Sequence, residues 1–172
     1  GQHEKPYEGE ERVIIPSPKV PTYDQKPEMS AKEITDSLLE KITQQEFPFV
    51  LINYANPDMV GHTGNIGPAV KACEVVDECI GRLANHALAY GGTLLITADH
   101  GNVEEMINNQ TGQIDTEHSS NPVPFIAISK NYLGNPQMLH SGILADVAPT
   151  VLSLLDIAPP DAMTGRNLLA GL

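Results

Sequence analysis

The chain has 172 residues, of which 41% are hydrophobic and 19% charged, and this composition is typical of a globular domain with a buried core. Its formal net charge of −12 argues against nucleic acid as a partner, because a phosphate backbone requires a basic surface. No apolar run approaches the ~20 residues that cross a bilayer, and the first residues lack a signal-peptide pattern. We therefore expect no membrane contact.

Residues 1–29 are polar and interrupted by prolines, which predicts an extended lead-in with one short strand at 13–15. Ser30 and Glu33 then have the spacing of a capping box, and the apolar residues that follow predict a helix ending near Gln45. The continuously apolar run 47–54 is typical of a strand buried on both faces of a parallel sheet.

Residues 55–67 are rich in Asn, Pro, Asp and Gly and are predicted to form a loop. Pro68 is expected to begin a long helix that ends at Gly91, with its apolar face formed by Val70, Cys73, Val76, Ile80, Leu83 and Ala87. The remaining predicted elements are two buried strands and a closing helix, at 93–97, 123–129 and 145–155.

The two cysteines lie six positions apart in the predicted long helix, about 240° around its axis, so Cys73 and Cys79 are not expected to pair. Two buried free thiols are typical of a protein from a reducing compartment, so we expect a cytoplasmic location.

Alternation of strands and helices predicts an α/β fold with a mostly parallel sheet and helices on both of its faces, a three-layer α/β/α architecture. In such sheets ligands bind at the carboxyl ends of the strands. Three predicted loops at these ends carry acidic residues and histidines, namely Asp58 with His62, Asp99 with His100, and His118.

Imidazole nitrogen and carboxylate oxygen, without thiolate, form a ligand set that suits Mn²⁺, Zn²⁺ or Fe²⁺. Five ligands exceed what one catalytic ion takes from protein, so the pattern favours two ions about 4 Å apart, as in sites that handle phosphate esters. Each motif alone has an ordinary explanation as a solvated loop or a helix cap. Their joint position at strand ends favours the metal site.

Other polar residues are weaker candidates. His3 and His86 are expected to be solvated, and His140 could approach the site from the segment before Gly142. Asn102, Glu104 and Glu105 occupy a predicted first helical turn, where one of them could support the ligands.

Several motifs together resemble the cofactor-independent (2,3-bisphosphoglycerate-independent) phosphoglycerate mutases of the alkaline-phosphatase-like superfamily. The resemblance covers essentially the whole chain, and Pro21, where a smaller residue is expected, is a minor departure. The matching stretches are Ser17–Val20, Tyr23–Asp24, Pro27–Ser30, Asn56–Gly64, Thr97–Asn102, His118–Pro124, Ala148–Thr150 and Met163–Gly165.

The resemblance implies that Asp58, His62 and His118 hold one Mn²⁺ and that Asp99 with His100 holds the other. It further implies that the second ion takes an aspartate and the nucleophilic serine from the enzyme's amino-terminal part, so no catalytic nucleophile is expected in this chain. By this resemblance, 30–172 is the carboxyl-terminal portion of an incomplete phosphatase domain. The phosphotransferase domain and the clasping arginines are then expected elsewhere.

The implied reaction interconverts 3-phosphoglycerate and 2-phosphoglycerate in glycolysis through a phosphoserine intermediate. The intact enzyme is expected to be a monomer that binds this small substrate, and the isolated chain is expected to be inactive. The sequence leaves two alternatives open: a phosphopentomutase or another metal-dependent phosphatase or sulfatase, and a non-catalytic metal-binding module. A purely structural interaction domain would leave the three Asp/His loops unexplained.

Overall fold

A computed structural model describes residues 5–133 and 139–171 of the chain. The chain divides into two compact units. The first unit comprises Gly1–Gln45, Ile52–Leu83 and Asn102–Ser119, and the second comprises Glu46–Leu51, Ala84–Gly101 and Ser120–Leu172. Among the described residues, no helix combines the length and the apolar character needed to cross a membrane.

The first predicted helix is confirmed as α1, Ala31–Gln44. Its predicted capping box is wrong, because the Ser30 hydroxyl makes no capping hydrogen bond and instead donates to the carbonyl of Pro16 at 2.7 Å. The same side chain therefore ties the lead-in to the start of the helix, an outcome that local spacing could not reveal. In the lead-in the described residues contain one 3-10 turn, Tyr23–Gln25, and the short strand expected at 13–15 is not formed.

Part of the predicted loop 55–67 is helical, which corrects that prediction. Helix α2 spans Asn56–Gly61, with Pro57 in its first turn, where a missing N–H is tolerated. The Asn56 amide is buried and donates to the carbonyls of Pro27 and Glu28 at 2.9 and 2.7 Å. Tertiary hydrogen bonds thus fix a helix in a segment whose composition suggested a loop.

The long helix is confirmed as α3, Ile66–Tyr90, and Gly91 follows it with a positive φ of 78°. Of its predicted apolar face Leu83 is buried, whereas Val70 is 54% exposed, and the other buried residues lie one position before the predicted ones. The apolar side of the helix is broad, so periodicity alone does not fix which part of it is buried. The residues that it buries are Ala69, Ala72, Val75, Cys79 and Leu83.

Two small clusters make the core of the first unit. One brings Val60 of α2 against Ala69 and Ala72 of α3 and against Met106. The other packs Ala31 against Val75 and Cys79, with half-buried Tyr54 beside them. The α2 helix is thus held against α3 by apolar contacts.

The described sheet has two strands, β1 (Leu94–Thr97) and β2 (Phe125–Ile128), which confirms both predicted strand positions. The two strands pair antiparallel, Leu94 opposite Ile128, so the mostly parallel sheet is not found among the described residues. The run 47–54 forms no strand there, and Phe49, Val50 and Leu51 are 51%, 39% and 84% exposed. An apolar run becomes a strand only when a partner strand pairs with it, and none does so here.

The closing helix of the second unit is confirmed as α4, Val147–Leu154, with Pro149 in its first turn. The Asp146 carboxylate precedes it and accepts backbone hydrogen bonds from Ile143 and Arg166 at 2.9 and 2.8 Å. These bonds hold the pKa of Asp146 below its ordinary value. The carboxylate therefore joins the start of α4 to the last segment of the described chain.

Candidate metal centre

Helix α2 and the residue that follows it carry two of the predicted ligands. Asp58 lies in the helix and His62 directly follows its last residue. Because the two are four positions apart, their side chains lie on the same face. Nε2 of His62 is 3.2 Å from Oδ1 of Asp58. Because Val60 is fully buried between them, the opposite face anchors the helix and leaves these two side chains at the surface of the first unit.

His118 completes a group of three in the same unit. Its Nε2 lies 3.1 Å from Oδ1 of Asp58 and 3.1 Å from Nε2 of His62, and the two rings are tilted by 43°. Three potential ligand atoms from two chain segments thus form a nearly equilateral triangle. We call this group the triad.

The hydrogen bonding of His62 fixes which of its nitrogens faces the triad. Nδ1 lies 2.6 Å from the carbonyl oxygen of Thr116, which can only accept, so Nδ1 carries the proton in the neutral ring. Nε2 then presents its lone pair to Asp58 and His118. A histidine that donates one N–H to a backbone carbonyl and offers its other nitrogen is typical of metal ligands in proteins.

The distances of the triad fit a transition-metal ion. Bonds of about 2.1 Å place neighbouring ligand atoms about 3.0 Å apart in octahedral and about 3.4 Å apart in tetrahedral coordination. The observed edges of 3.1 to 3.2 Å lie within this range. Two imidazole nitrogens and one carboxylate oxygen suit Mn²⁺, Zn²⁺ or Fe²⁺.

The remaining two predicted ligands lie in the second unit, directly after β1. Oδ1 of Asp99 is 3.6 Å from Nε2 of His100, and the Asp99 side chain is 83% exposed. Nδ1 of His100 lies 3.3 Å from the carbonyl oxygen of Gly101. This pair offers ligand atoms at the carboxyl end of a strand, as predicted, but it offers only two.

The other histidines have different surroundings. His86 stacks on Tyr90 with ring centroids 4.3 Å apart, and His140 lies beside Arg166 and Leu168 at a small cavity of the second unit. His3 lies outside the described residues. Both cysteines are free; Cys79 is buried as predicted, whereas Cys73 is only half-buried. Burial raises the pKa of the Cys73 thiol.

Of three further residues that matter to the triad, the sequence offers one as a candidate and gives no indication of the other two. Thr116 contributes only its carbonyl, for which a sequence gives no signal beyond its position two residues before His118. Asn102 was one of three candidates for a supporting role, and its amide donates to Asp58 at 3.0 Å. Gly61 leaves room for that amide, since a Cβ there would meet the Asn102 side chain.

The chain is similar in sequence to curated phosphoglycerate mutases. The chain is 51% identical over 170 residues to a 2,3-bisphosphoglycerate-independent phosphoglycerate mutase of Clostridioides difficile (strain 630), covering 99% of this chain and 33% of that protein. It is 54% identical over 169 residues to the enzyme of the same name from Pseudomonas putida, covering 98% and 32%. The chain therefore spans about a third of the length of these curated relatives.

A solved structure of Leishmania mexicana phosphoglycerate mutase, obtained at low cobalt concentration, matches with a TM-score of 0.77 and 28% identity over 89% of this chain and 30% of that one. These matches confirm the resemblance that the motifs indicated, and the structural match supports an alkaline-phosphatase-like fold. The model of the Metalloenzyme superfamily matches residues 1–159. The chain belongs to the Metalloenzyme superfamily.

Proposed function

We propose that this chain is the metal-holding part of a phosphoglycerate mutase that interconverts 3-phosphoglycerate and 2-phosphoglycerate. The observation that carries the proposal is the triad, whose three ligand atoms lie 3.1 to 3.2 Å apart in a chain about half identical to mutases of that name. In this proposal Asp58, His62 and His118 hold one divalent ion. Asp99 and His100 contribute to a second, and Mn²⁺ is the expected metal at both.

A divalent ion at such a site supplies positive charge that opposes the charge on the phosphoryl oxygens of a bound ester. The chain itself is poor in groups that could do this. Its three arginines have local partners: Arg12 pairs with Glu10, Arg82 with Asp36 at 2.6 Å, and Arg166 donates to the Ser141 carbonyl at 2.7 Å. Substrate binding through this site therefore depends on the metal and on cationic residues from elsewhere in a complete enzyme.

The shared third of the relatives' length supports a division of labour. We infer that the nucleophilic serine, a further aspartate ligand and the substrate-clasping arginines belong to the part of the mutases that this chain does not span. The isolated chain is then a metal-binding protein without mutase activity. We further infer that the exposed run 49–51 pairs within a larger, mostly parallel three-layer sheet in a complete, monomeric cytoplasmic enzyme.

The metal centre is tested by titrating Mn²⁺ into the chain and into its His62→Ala variant. Loss of a ligand is expected to raise the dissociation constant by more than about 100-fold, because loss of a residue that only supports a ligand already weakens metal binding roughly 10–100-fold. His86→Ala is a matched control, since that ring stacks on Tyr90 outside the triad. Equal Mn²⁺ affinity of the His62→Ala and His86→Ala proteins would rule out the assignment.

The reaction is tested in a complete enzyme that contains this chain, assayed on 3-phosphoglycerate and on pentose phosphates. Conversion of 3-phosphoglycerate to 2-phosphoglycerate that is lost on chelation and restored by Mn²⁺ is the expected result. Activity confined to pentose phosphates would instead identify a phosphopentomutase with the same metal centre.

A further inference from the structure

We propose that Asn102 is a positioning residue of the metal centre, which fixes the Asp58 oxygen that faces the ion, and that Gly61 provides the space this requires. The inference deepens the proposed function and rests on it, because it assigns a role relative to the Asp58 ligand. Asn102 itself is not proposed to touch metal or substrate.

The contact is specific to one oxygen of the carboxylate. Nδ2 of Asn102 donates to Oδ1 of Asp58 at 3.0 Å, and this is the same oxygen that lies 3.2 and 3.1 Å from the nitrogens of His62 and His118. A carboxylate can turn about its Cβ–Cγ bond and exchange its two oxygens. A donor held on Oδ1 prevents that exchange and occupies one of its acceptor positions, which leaves another for an ion.

Chemistry dictates the orientation of the amide. The reversed amide would place the Asn102 carbonyl oxygen against the negatively charged Asp58 carboxylate, and two acceptors at this distance repel each other. Oδ1 of Asn102 consequently points away from Asp58. It is buried and has no hydrogen-bond partner among the described residues.

Packing over Gly61 holds the amide in place. Asn102 is only 5% exposed, and a Cβ on Gly61 would lie 2.1 Å from its Oδ1 and 2.9 Å from its Cγ. Glycine is therefore required at 61 for the amide to occupy its position. The buried carbonyl oxygen of Asn102 has no hydrogen bond, so an apolar side chain would be more favourable in the space over Gly61. The favourable contribution of the Asn102 amide is therefore its hydrogen bond to Asp58.

Glu104 connects the same residue to the segment that carries His118. Its Oε2 accepts from the backbone N–H of Asn102 at 2.8 Å, and its Oε1 accepts from the hydroxyl of Ser119. The backbone of Asn102 is thus tied to the neighbour of one triad member while its side chain bonds to another. This arrangement couples the orientation of Asp58 to the position of His118.

The test compares Mn²⁺ affinity with stability in the metal-free chain. Asn102→Leu keeps the branched shape over Gly61 but removes the donor, and we expect the Mn²⁺ dissociation constant to rise roughly 10–100-fold. The thermal midpoint of the metal-free protein should be retained or raised. Asn167→Leu is the matched control, since that amide bonds to Ser153 and to the backbone of Leu169, and it should leave Mn²⁺ affinity unchanged.

A double-mutant cycle supplies a second, independent variant. Gly61→Ala should weaken Mn²⁺ binding when Asn102 is present, because the new methyl group displaces the amide. In the Asn102→Ala background the methyl group meets only Cγ1 of Val103, at 2.9 Å, so Gly61→Ala should weaken Mn²⁺ binding less than it does when Asn102 is present. Additive effects of the two substitutions on Mn²⁺ affinity would overturn the proposal.

The outcomes also separate this proposal from the proposed function. If Asp58→Ala abolishes tight Mn²⁺ binding while Asn102→Leu and Gly61→Ala do not weaken it, the positioning role is wrong and the metal centre stands. If Asp58→Ala leaves Mn²⁺ affinity unchanged, the metal centre is wrong and the role of Asn102 fails with it.

Discussion

The aspartates of the two units differ in how many chain segments surround them. Asp58 in the first unit contacts two histidines and an amide, drawn from helix α2 and from the segments at 102 and 118. Asp99 in the second unit is 83% exposed, and the described contact of its carboxylate is with the adjacent His100 at 3.6 Å. Ligand atoms are held ready for an ion only where several segments converge on them.

The largest expected effect follows directly from this difference. His118→Ala removes one corner of the triad and should raise the Mn²⁺ dissociation constant of the chain by more than about 100-fold, since a first ligand is lost rather than a supporting residue. Asp99→Ala removes one of the two ligands in the second unit, which are too few to bind an ion tightly, and should change the Mn²⁺ dissociation constant by less than about tenfold. Isothermal titration of both variants provides the comparison.

In the complete mutase proposed above, His118→Ala and Asp99→Ala should instead have effects of similar size. If Asp99 gains its missing co-ligands there, Asp99→Ala should reduce mutase activity as severely as His118→Ala. A complete enzyme in which Asp99→Ala remains fully active would contradict the assignment of Asp99 to a second ion.

The sequence identified the Asp and His ligand candidates because their residue types and their positions after apolar runs are local signals. The sequence predicts a loop for Asp58 and His62, so their position on one face of a helical turn is not predicted. The supports could not be predicted, because the Thr116 carbonyl and the space over Gly61 have no signature of their own. Contacts between distant segments decide such features.

Contacts between distant segments also explain where the predicted fold is wrong. Strand positions 94–97 and 125–128 followed from local apolar runs, but their antiparallel pairing depends on a partner that periodicity does not specify. Ser30 occupies the N-cap position of α1 as the spacing to Glu33 predicts, but its hydroxyl bonds to the Pro16 carbonyl fourteen residues earlier instead of capping the helix. Local propensity was overruled in each case by a tertiary contact.

A second prediction concerns stability in the two units. A Cβ on Gly165 in the second unit would lie 2.1 Å from the carbonyl oxygen of Ala145, and backbone atoms cannot move aside cheaply. Gly165→Ala should lower the free energy of unfolding by about 1–3 kcal/mol. Gly81→Ala on α3 is the matched control, because nothing lies within 4 Å of its Cβ and alanine favours a helix by up to about 1 kcal/mol.

Urea unfolding of the two glycine variants measures both effects. The Mn²⁺ affinity of folded Gly165→Ala should match that of the unmodified chain, since Gly165 belongs to the second unit and the triad to the first. Equal stability of Gly165→Ala and Gly81→Ala would contradict the close contact between residue 165 and the Ala145 carbonyl.

The smallest expected effect contrasts Asp146, a carboxylate used for structure, with the Asp58 carboxylate proposed as a ligand. Backbone N–H groups of Ile143 and Arg166 hold the pKa of Asp146 below its ordinary value, so the folded state favours the charged form. Its stabilising contribution is therefore fully present above the pKa of the unfolded chain, near 4, and is lost as the pH falls through the lower folded pKa.

Asp146→Asn should accordingly be less stable than the unmodified chain at pH 7, with a difference that shrinks below about pH 4. Denaturant unfolding at pH 7, 5, 4 and 3 measures the gap, and exposed Asp161→Asn serves as the control. If the difference in free energy of unfolding stays constant down to pH 3, the charge of Asp146 adds nothing to its two backbone hydrogen bonds. The proposed role of Asp58 differs, because its charge is expected to matter chiefly when metal is bound, so Asp58→Asn should alter Mn²⁺ affinity more than metal-free stability.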